Sequence, residues 1–195
     1  MKTRGLLLVH VDPDAAFEEE LNAWYDTEHL PERAAVPGFE TAMRFRSLGD
    51  GPRYLAVYDL AKLGVLQSEG YLAVSGDRFS PWTKRVNAHA KPVRLTGNQI
   101  GDGGVTGPCT RLSLLKFAAS SARDAAAVEA GLAASFRAHP GHLNSRVFVG
   151  AEPQPDFLLA IVEFAGNDVP PIAIEAFGAV GRRLVLAASY RPYRA

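Results

Sequence analysis

The chain repeats itself, and that repeat limits the folds open to it. Pro37-Gly38 begins 17 residues before Tyr54, and Pro140-Gly141 begins 17 residues before Phe157. A shift of 103 carries the first pair onto the second and also carries Phe45 onto Phe148. The segments around these landmarks follow one order twice. Leu6 to Val11 is apolar and β-prone and reads as a buried strand. Asp12-Pro13 reads as a helix start, with Phe17, Leu21 and Trp24 at helical spacing. Pro31 and Pro37-Gly38 end that helix. Strands are predicted over 41–47 and 54–60, joined by the turn Gly49-Asp50-Gly51-Pro52. A shorter helix is predicted over 61–74 and a strand over 90–95.

The order then starts again with a strand over 111–118. Ser121-Ala122-Arg123-Asp124 has the pattern of a capping box, and Val128, Leu132 and Phe136 mark a helix stripe. Strands follow over 144–149 and 157–164, then a short helix to Val180 and a strand over 184–190. Two β-α-β-β-α-β units are the economical reading. The fold class is therefore α+β, with two tandem ferredoxin-like repeats. Residues 1–95 form the first half, 96–108 a glycine-rich linker and 109–195 the second half. Each unit leaves one sheet face bare. Two such faces bury each other in a barrel-like core, for which a cavity is expected. A pseudo-two-fold should relate residues 5–95 to 109–190 and place Pro37 on Pro140.

Composition excludes several classes. Hydrophobic residues make up 47% of the chain, enough for a core. Lys+Arg and Asp+Glu are both 21, so the net charge is +0 and the basic excess typical of a nucleic-acid binder is absent. Cys109 is the one cysteine, which fits a reducing compartment. The apolar start Leu6 to Val9 is too short for a signal segment, and no apolar run reaches the roughly 20 residues of a membrane span. A cytoplasmic location follows by elimination, with no nucleic-acid or membrane partner. The glycines of 96–108 do not make a phosphate loop, because Thr106 stands where the third glycine belongs and a strand follows.

Trp24-Tyr25-Asp26-Thr27-Glu28-His29-Leu30-Pro31-Glu32, followed by Val36-Pro37-Gly38-Phe39 and Tyr54-Leu55-Ala56-Val57-Tyr58, resembles a pattern of the dimeric α/β-barrel superfamily, in particular its EthD-like proteins. The motif match covers roughly residues 5–60, and the second half is similar in topology alone. The resemblance implies a small-molecule ligand. It spans cofactor-free oxygenases, isomerases, cyclases, dehydratases, haem enzymes and accessory proteins. No axial histidine stands out for a haem, and His10, His29, His89, His139 and His142 contain no metal-binding spacing. No cofactor and no metal are therefore expected.

Candidate chemistry concentrates on the first helix. Its apolar stripe runs onto Glu28, and an acid on a buried stripe needs a partner. His29 lies one turn after Tyr25. A carboxylate, an imidazole and a phenol beside a cavity supply general acid/base chemistry near neutral pH, so Glu28 and His29 are the catalytic candidates. The structural alternative is a helix-end histidine and a Glu28 that clamps the loop after it. At the 103-residue shift, Trp24, Tyr25, Glu28 and His29 fall on Ala127, Val128, Gly131 and Leu132, so the cluster belongs to one half alone. Trp24, Tyr25, Arg44, Tyr58 and His10 are the substrate-binding candidates. Arg44, if it points into the barrel, would hold a carboxylate or an enolate, and His10 is otherwise a structural histidine at a strand end. Trp82 is expected at the barrel mouth or a subunit contact.

The leading expectation is a cofactor-independent enzyme acting by acid/base chemistry on a small aromatic or oxo-acid metabolite, as an isomerase, lyase, hydrolase or oxygenase. The alternatives are a non-catalytic ligand-binding or accessory protein and a structural module whose barrel is filled. A homodimer is also expected.

Overall fold

The computed structural model describes residues 3–49 and 51–193. Strand β1 (Gly5–Val11) leads to helix α1 (Glu18–Trp24), a π-helical turn (Tyr25–His29) and α2 (Leu30–Ala35). Strands β2 (Met43–Ser47) and β3 (Tyr54–Leu60), helices α3 (Glu69–Leu72) and α4 (Pro81–Ala90), and strand β4 (Val93–Ile100) complete the first half. The second half has β5 (Arg111–Ala118), α5 (Ala125–Phe136), β6 (His142–Gly150), β7 (Phe157–Phe164), a 3-10 segment (Ile174–Arg183) and β8 (Leu184–Pro192).

The strands run in the order β4-β1-β3-β2 and then β8-β5-β7-β6, and the edges β2/β8 and β4/β6 pair to close an eight-stranded antiparallel barrel. Each half has the ferredoxin-like strand order. Closure leaves no free sheet edge. The registers correspond as well: Leu6 faces Asp59 as Leu112 faces Glu163, and Phe45 faces Leu55 as Phe148 faces Leu159. The shift between halves is thus 103 from β2 to β6, 104 from β3 to β7 and 106 from β1 to β5. One uniform shift misreads two of the three strands.

Side chains alternate across each strand. The inward set, including Leu6, Leu8, Phe45, Leu55, Val57, Leu112, Leu114, Phe148, Leu159, Ile161 and Tyr190, packs into one cluster that fills the barrel. Eight strands enclose a space just wide enough for that. The cavity expected between the sheets is therefore a packed core. The outward set of β1 and β3, including Leu7, Val9, Val11 and Tyr58, packs under α1 and α4. The outward faces of β5 and β7 pack under α5 and the 3-10 segment.

Several local expectations change. Asp12 does not cap the first helix; its carboxylate accepts the Arg53 N–H at 2.7 Å. Pro31 does not end the helix, because the Leu30 N–H already reaches back five residues to the Tyr25 carbonyl. The ladder is offset there, so the missing proline N–H falls in α2's first turn, where proline is tolerated. The single helix expected over 61–74 is a 3-10 turn, Leu63–Gln67, followed by the short α3. The principal second helix of this half is α4, announced by Ser80-Pro81, with the Ser80 hydroxyl accepting the Thr83 N–H at 2.9 Å.

The predicted linker gives its first five residues, Thr96 to Ile100, to β4. Gly97 sits at the β4–β6 seam, where a Cβ would lie 2.9 Å from the Val149 carbonyl. Trp82 is also not at the barrel mouth: its indole donates to Glu20 at 3.1 Å and ties α4 to α1.

Candidate active site

The π-helical turn shapes the site. It widens the helix where Tyr25 and His29 must both turn toward the sheet, an insertion common at functional positions. His29 stacks on Trp24 with ring centroids 4.2 Å apart and meets the Tyr25 ring edge-on at 5.2 Å. Tyr58, outward on β3, closes the group at 6.4 Å. Together with Arg33, Tyr71 and Arg94 these side chains line a cavity of about 60 Å³ between the helices and the outer face of β1 and β3. Arg94, exposed, and Phe79, Asn87 and Pro92, half-buried, form its rim.

Three buried polar atoms of this lining have no hydrogen-bond partner: His29 Nδ1, the Tyr58 hydroxyl and Arg33 Nη1. A buried donor or acceptor left bare costs about 1–3 kcal/mol, so three around one cavity favour a polar occupant there, water or ligand. Arg33 is otherwise fixed, donating to the Val74 carbonyl at 2.7 Å. Arg94 donates to the Tyr71 hydroxyl at 2.9 Å.

The electrostatics are one-sided. Burial, reinforced by Arg33, Arg44 and Arg94, holds the His29 imidazole well below its usual range, so it is neutral at pH 7. Burial pushes the Tyr25 phenol up to about 12 and Tyr58 well above the usual phenol range. The cavity thus presents a neutral imidazole, neutral phenols and a guanidinium field. Such a site favours an anion or a group that becomes one. An anion would offset the guanidiniums and raise His29 toward a working pKa.

The structure separates the two catalytic candidates. Glu28 does not face the cavity. One of its oxygens accepts from the Ser80 hydroxyl at 2.5 Å, the Thr83 hydroxyl at 2.9 Å and the Trp24 indole at 3.2 Å. It fastens α4 to the first helix, and its partner Trp24 is the ring on which His29 stacks. The clamp partner is the start of α4, not the loop after the helix.

Arg44 points away from the barrel interior, opposite the inward Phe45. It donates to Asn22 at 2.7 Å and lies 4.1 Å over the Tyr25 ring, behind the cavity wall. Trp24, Tyr25, Tyr58 and His29 are brought together. His10 is not: it alternates inward on β1, with Lys116 and Asp12 near its ring. Arg33 and Arg94 escaped the sequence reading. Taking β4 to Ile100 would have put Arg94 on the same outer face as Thr96, because the strand's buried positions are Leu95, Gly97 and Gln99.

Beside α5 in the second half an aromatic ring stands at the equivalent place. A Cβ on Gly131 would lie 2.3 Å from the Phe177 ring, so that ring occupies the space beside the helix.

Solved structures with this architecture are similar over nearly the whole chain. An anthrone oxidase-like protein matches with a TM-score of 0.66 at 13% identity, over 100% of this chain and 92% of its own. A candidate monooxygenase from Lactobacillus acidophilus NCFM matches with a TM-score of 0.64 at 13% identity, over 98% and 94%. A candidate chlorite dismutase matches with a TM-score of 0.61 at 12% identity, over 100% and 96%. The fold is that of the dimeric α/β barrels. No protein-family model matches the chain, and no curated protein does.

The resemblance includes haem enzymes, and one open cleft is large enough to raise that group. The open cleft between α5 and β6, about 430 Å³, is lined by Asp102, Glu129, Arg137 and His142. A haem needs apolar faces and an imidazole nitrogen aimed at iron. His142 Nε2 is instead engaged with the Ser145 hydroxyl at 2.8 Å, and the walls carry charge. These residues do not fit a haem. Among the described residues no group of three or more His, Cys, Asp or Glu is placed to hold a metal ion. No helix of the described residues is long and apolar enough to cross a membrane. Burial raises the Cys109 thiol to about 11, which leaves it a poor nucleophile.

Proposed function

We propose that the first-half cavity binds the acidic end of a small aromatic or oxo-acid metabolite and that His29 takes a proton from it without a cofactor. The observation that carries this reading is the convergence of His29 Nδ1, the Tyr58 hydroxyl and Arg33 Nη1, all unpartnered, on one cavity. An enolisable ketone or an acidic phenol matches all three. Its proton passes to His29 Nδ1, and the oxygen that gains the charge accepts from Tyr58 and Arg33. Arg94 at the rim and Arg44 behind Tyr25 add to the field that favours the enolate or phenolate.

Trp24 positions His29 by stacking, and Glu28 positions Trp24; Glu28 is thus a positioning residue in this proposal. The W-Y-x-x-E-H-L-P segment supports an EthD-like assignment. The anthrone oxidase-like and monooxygenase neighbours point toward an enolisable aromatic substrate. An isomerase would return the proton at another carbon, whereas an oxygenase would hand the electron-rich carbon to O₂.

At about 60 Å³ the cavity holds a reacting group and not a whole ring system, so the rest of the ligand would extend past Phe79 and Asn87. That small volume favours the second reading, a binding protein without catalysis, and the filled barrel favours the third, a structural module. A cytoplasmic location and a homodimer belong to the same proposal, and sedimentation as a single chain at micromolar concentration would remove the dimer.

The test is C–H exchange in D₂O, followed by NMR, over a panel of anthrones, other enolisable aryl ketones and 2-oxo acids. Exchange that falls by about 10²-fold or more in His29→Leu supports proton transfer. Binding without exchange selects the second reading. No compound shifting the His29 or Tyr58 resonances would overturn both.

A further inference from the structure

A second cleft lies on the seam between the two halves. Arg46 on β2 is the register partner of Arg191 on β8. Arg111 on β5 stands one residue beyond the Leu112–Tyr190 pair. In each case the neighbouring residue, Phe45, Tyr190 or Leu112, points into the barrel, so all three arginines point outward. They form a row across three adjacent strands. Like charges side by side on a sheet are destabilising.

The row lines a cleft of about 370 Å³ with Thr110, Asn167 and Tyr193, and among the described residues no carboxylate belongs to the lining. Partners for the row are few among the described residues. Arg46 reaches Glu18 at 3.7 Å, but that carboxylate is already bound by Arg53 at 2.8 Å and by the Tyr54 hydroxyl at 2.6 Å. Arg111 donates to the adjacent Thr110 carbonyl at 2.8 Å. Arg191 makes no ion pair among the described residues. Asp168, next to Asn167, is turned to His139 at 3.5 Å.

We propose that this cleft binds a multiply charged oxyanion, a phosphate or phosphate monoester, through Arg46, Arg111 and Arg191. Guanidiniums match phosphate oxygens two at a time, and three of them call for more than one negative charge. Asn167 supplies a neutral donor at the edge. Tyr193 gives a flat wall for the organic part of a monoester. The opposite side of that ring faces the first-half site: the Arg44 guanidinium lies 4.3 Å from Tyr193 and 4.1 Å from Tyr25. The cleft is separate from the His29 cavity, and the proposal does not depend on what happens there.

The experiment is a titration of the whole chain with inorganic phosphate, phenyl phosphate, acetate and chloride at constant ionic strength, read by calorimetry and by melting temperature. Phosphate and phenyl phosphate should bind saturably and raise the melting temperature, and acetate and chloride should not. Tighter binding of phenyl phosphate assigns the site to a monoester, and equal binding assigns it to the free ion. In Arg111→Gln/Arg191→Gln the phosphate Kd should rise at least tenfold. Without any anion, this variant should melt at or above the wild-type temperature, because a repulsion has been removed. Phosphate acting no differently from chloride overturns the proposal, as does an unchanged Kd in the variant. A variant that melts lower without anion also overturns it, because the arginines would then be structural.

Discussion

Asp59 and Glu163 occupy equivalent places in the two halves and share one guanidinium, that of Arg146. Asp59 faces Leu6 as Glu163 faces Leu112, and both point into the same end of the barrel. Arg146 donates to Asp59 and, at 3.0 Å, to Glu163. The chain between the halves closes over this group, with the Thr106 N–H on Asp59 at 2.7 Å and the Gly107 N–H on Glu163 at 3.1 Å. The symmetric fold places two carboxylates together, and one asymmetric arginine pairs with both and offsets one of their two charges. The position equivalent to Arg146 in the first half is Met43, since each faces the matching residue of the next strand, Ile161 and Val57.

Arg146→Met should therefore be among the most damaging single changes in the chain. It leaves two buried carboxylates without their cation, at an expected cost of about 3–5 kcal/mol. Arg146→Met combined with Asp59→Asn and Glu163→Gln should recover most of that loss. Urea unfolding of the single and triple variants measures both.

The repeat, the order of strands along the chain and the buried apolar faces were legible because periodicity and turn residues record them directly. The one-half cluster Trp24, Tyr25 and His29 was legible because its polar and aromatic residues interrupt an apolar stripe. What stayed hidden depended on direction. Glu28 and His29 are adjacent in sequence, and no spacing rule shows that a π-helical turn sends one to α4 and the other to the sheet. Arg44 and His10 were misplaced for a related reason: strand alternation separates two faces but does not say which one is inside. Helix α4 was missed although Ser80-Pro81 announces it, because its stripe of Thr83, Val86 and Ala90 is short and contains few large apolar residues.

Glu28→Ala should loosen α4. Three donors, from Trp24, Ser80 and Thr83, lose their shared acceptor, and a buried unsatisfied group costs about 1–3 kcal/mol. Hydrogen exchange in α4 should quicken more than exchange in the barrel strands. Glu28→Gln keeps an acceptor oxygen and should lose less. Equal exchange in all three proteins would show that the clamp is idle.

His29→Leu should behave differently. The imidazole makes no hydrogen bond through Nδ1, so a side chain of similar volume loses little and removes an unsatisfied atom. The change in stability should stay within about 1.5 kcal/mol. Proton exchange on the substrate should fall by about 10²-fold or more. NMR titration of the wild type should find His29 neutral well below its ordinary pKa and shifted upward when an anionic ligand fills the cavity. A His29 titrating near 6.5 in the free protein would contradict the burial and the arginine field together.

His10 gives the protein an acid-sensitive point away from the His29 cavity. Burial, with Lys116 nearby, lowers its pKa to about 4. The unfolded chain takes up a proton there near the ordinary value of about 6.5, while the folded chain resists until about 4. A base with a depressed folded pKa contributes fully above the unfolded pKa, and that contribution is lost as pH falls toward the folded pKa. The window is therefore about 6.5 to 4, and the size follows from the gap, roughly 3 kcal/mol at 1.36 kcal/mol per unit. Glu163 works against it: burial raises its pKa, so its contribution grows as pH falls. Single-site variants separate the two. His10→Phe should lose less stability than wild type between pH 7 and 4.5 in urea unfolding, and Glu163→Gln should lose more. Parallel curves for wild type and His10→Phe would show that His10 titrates alike in both states.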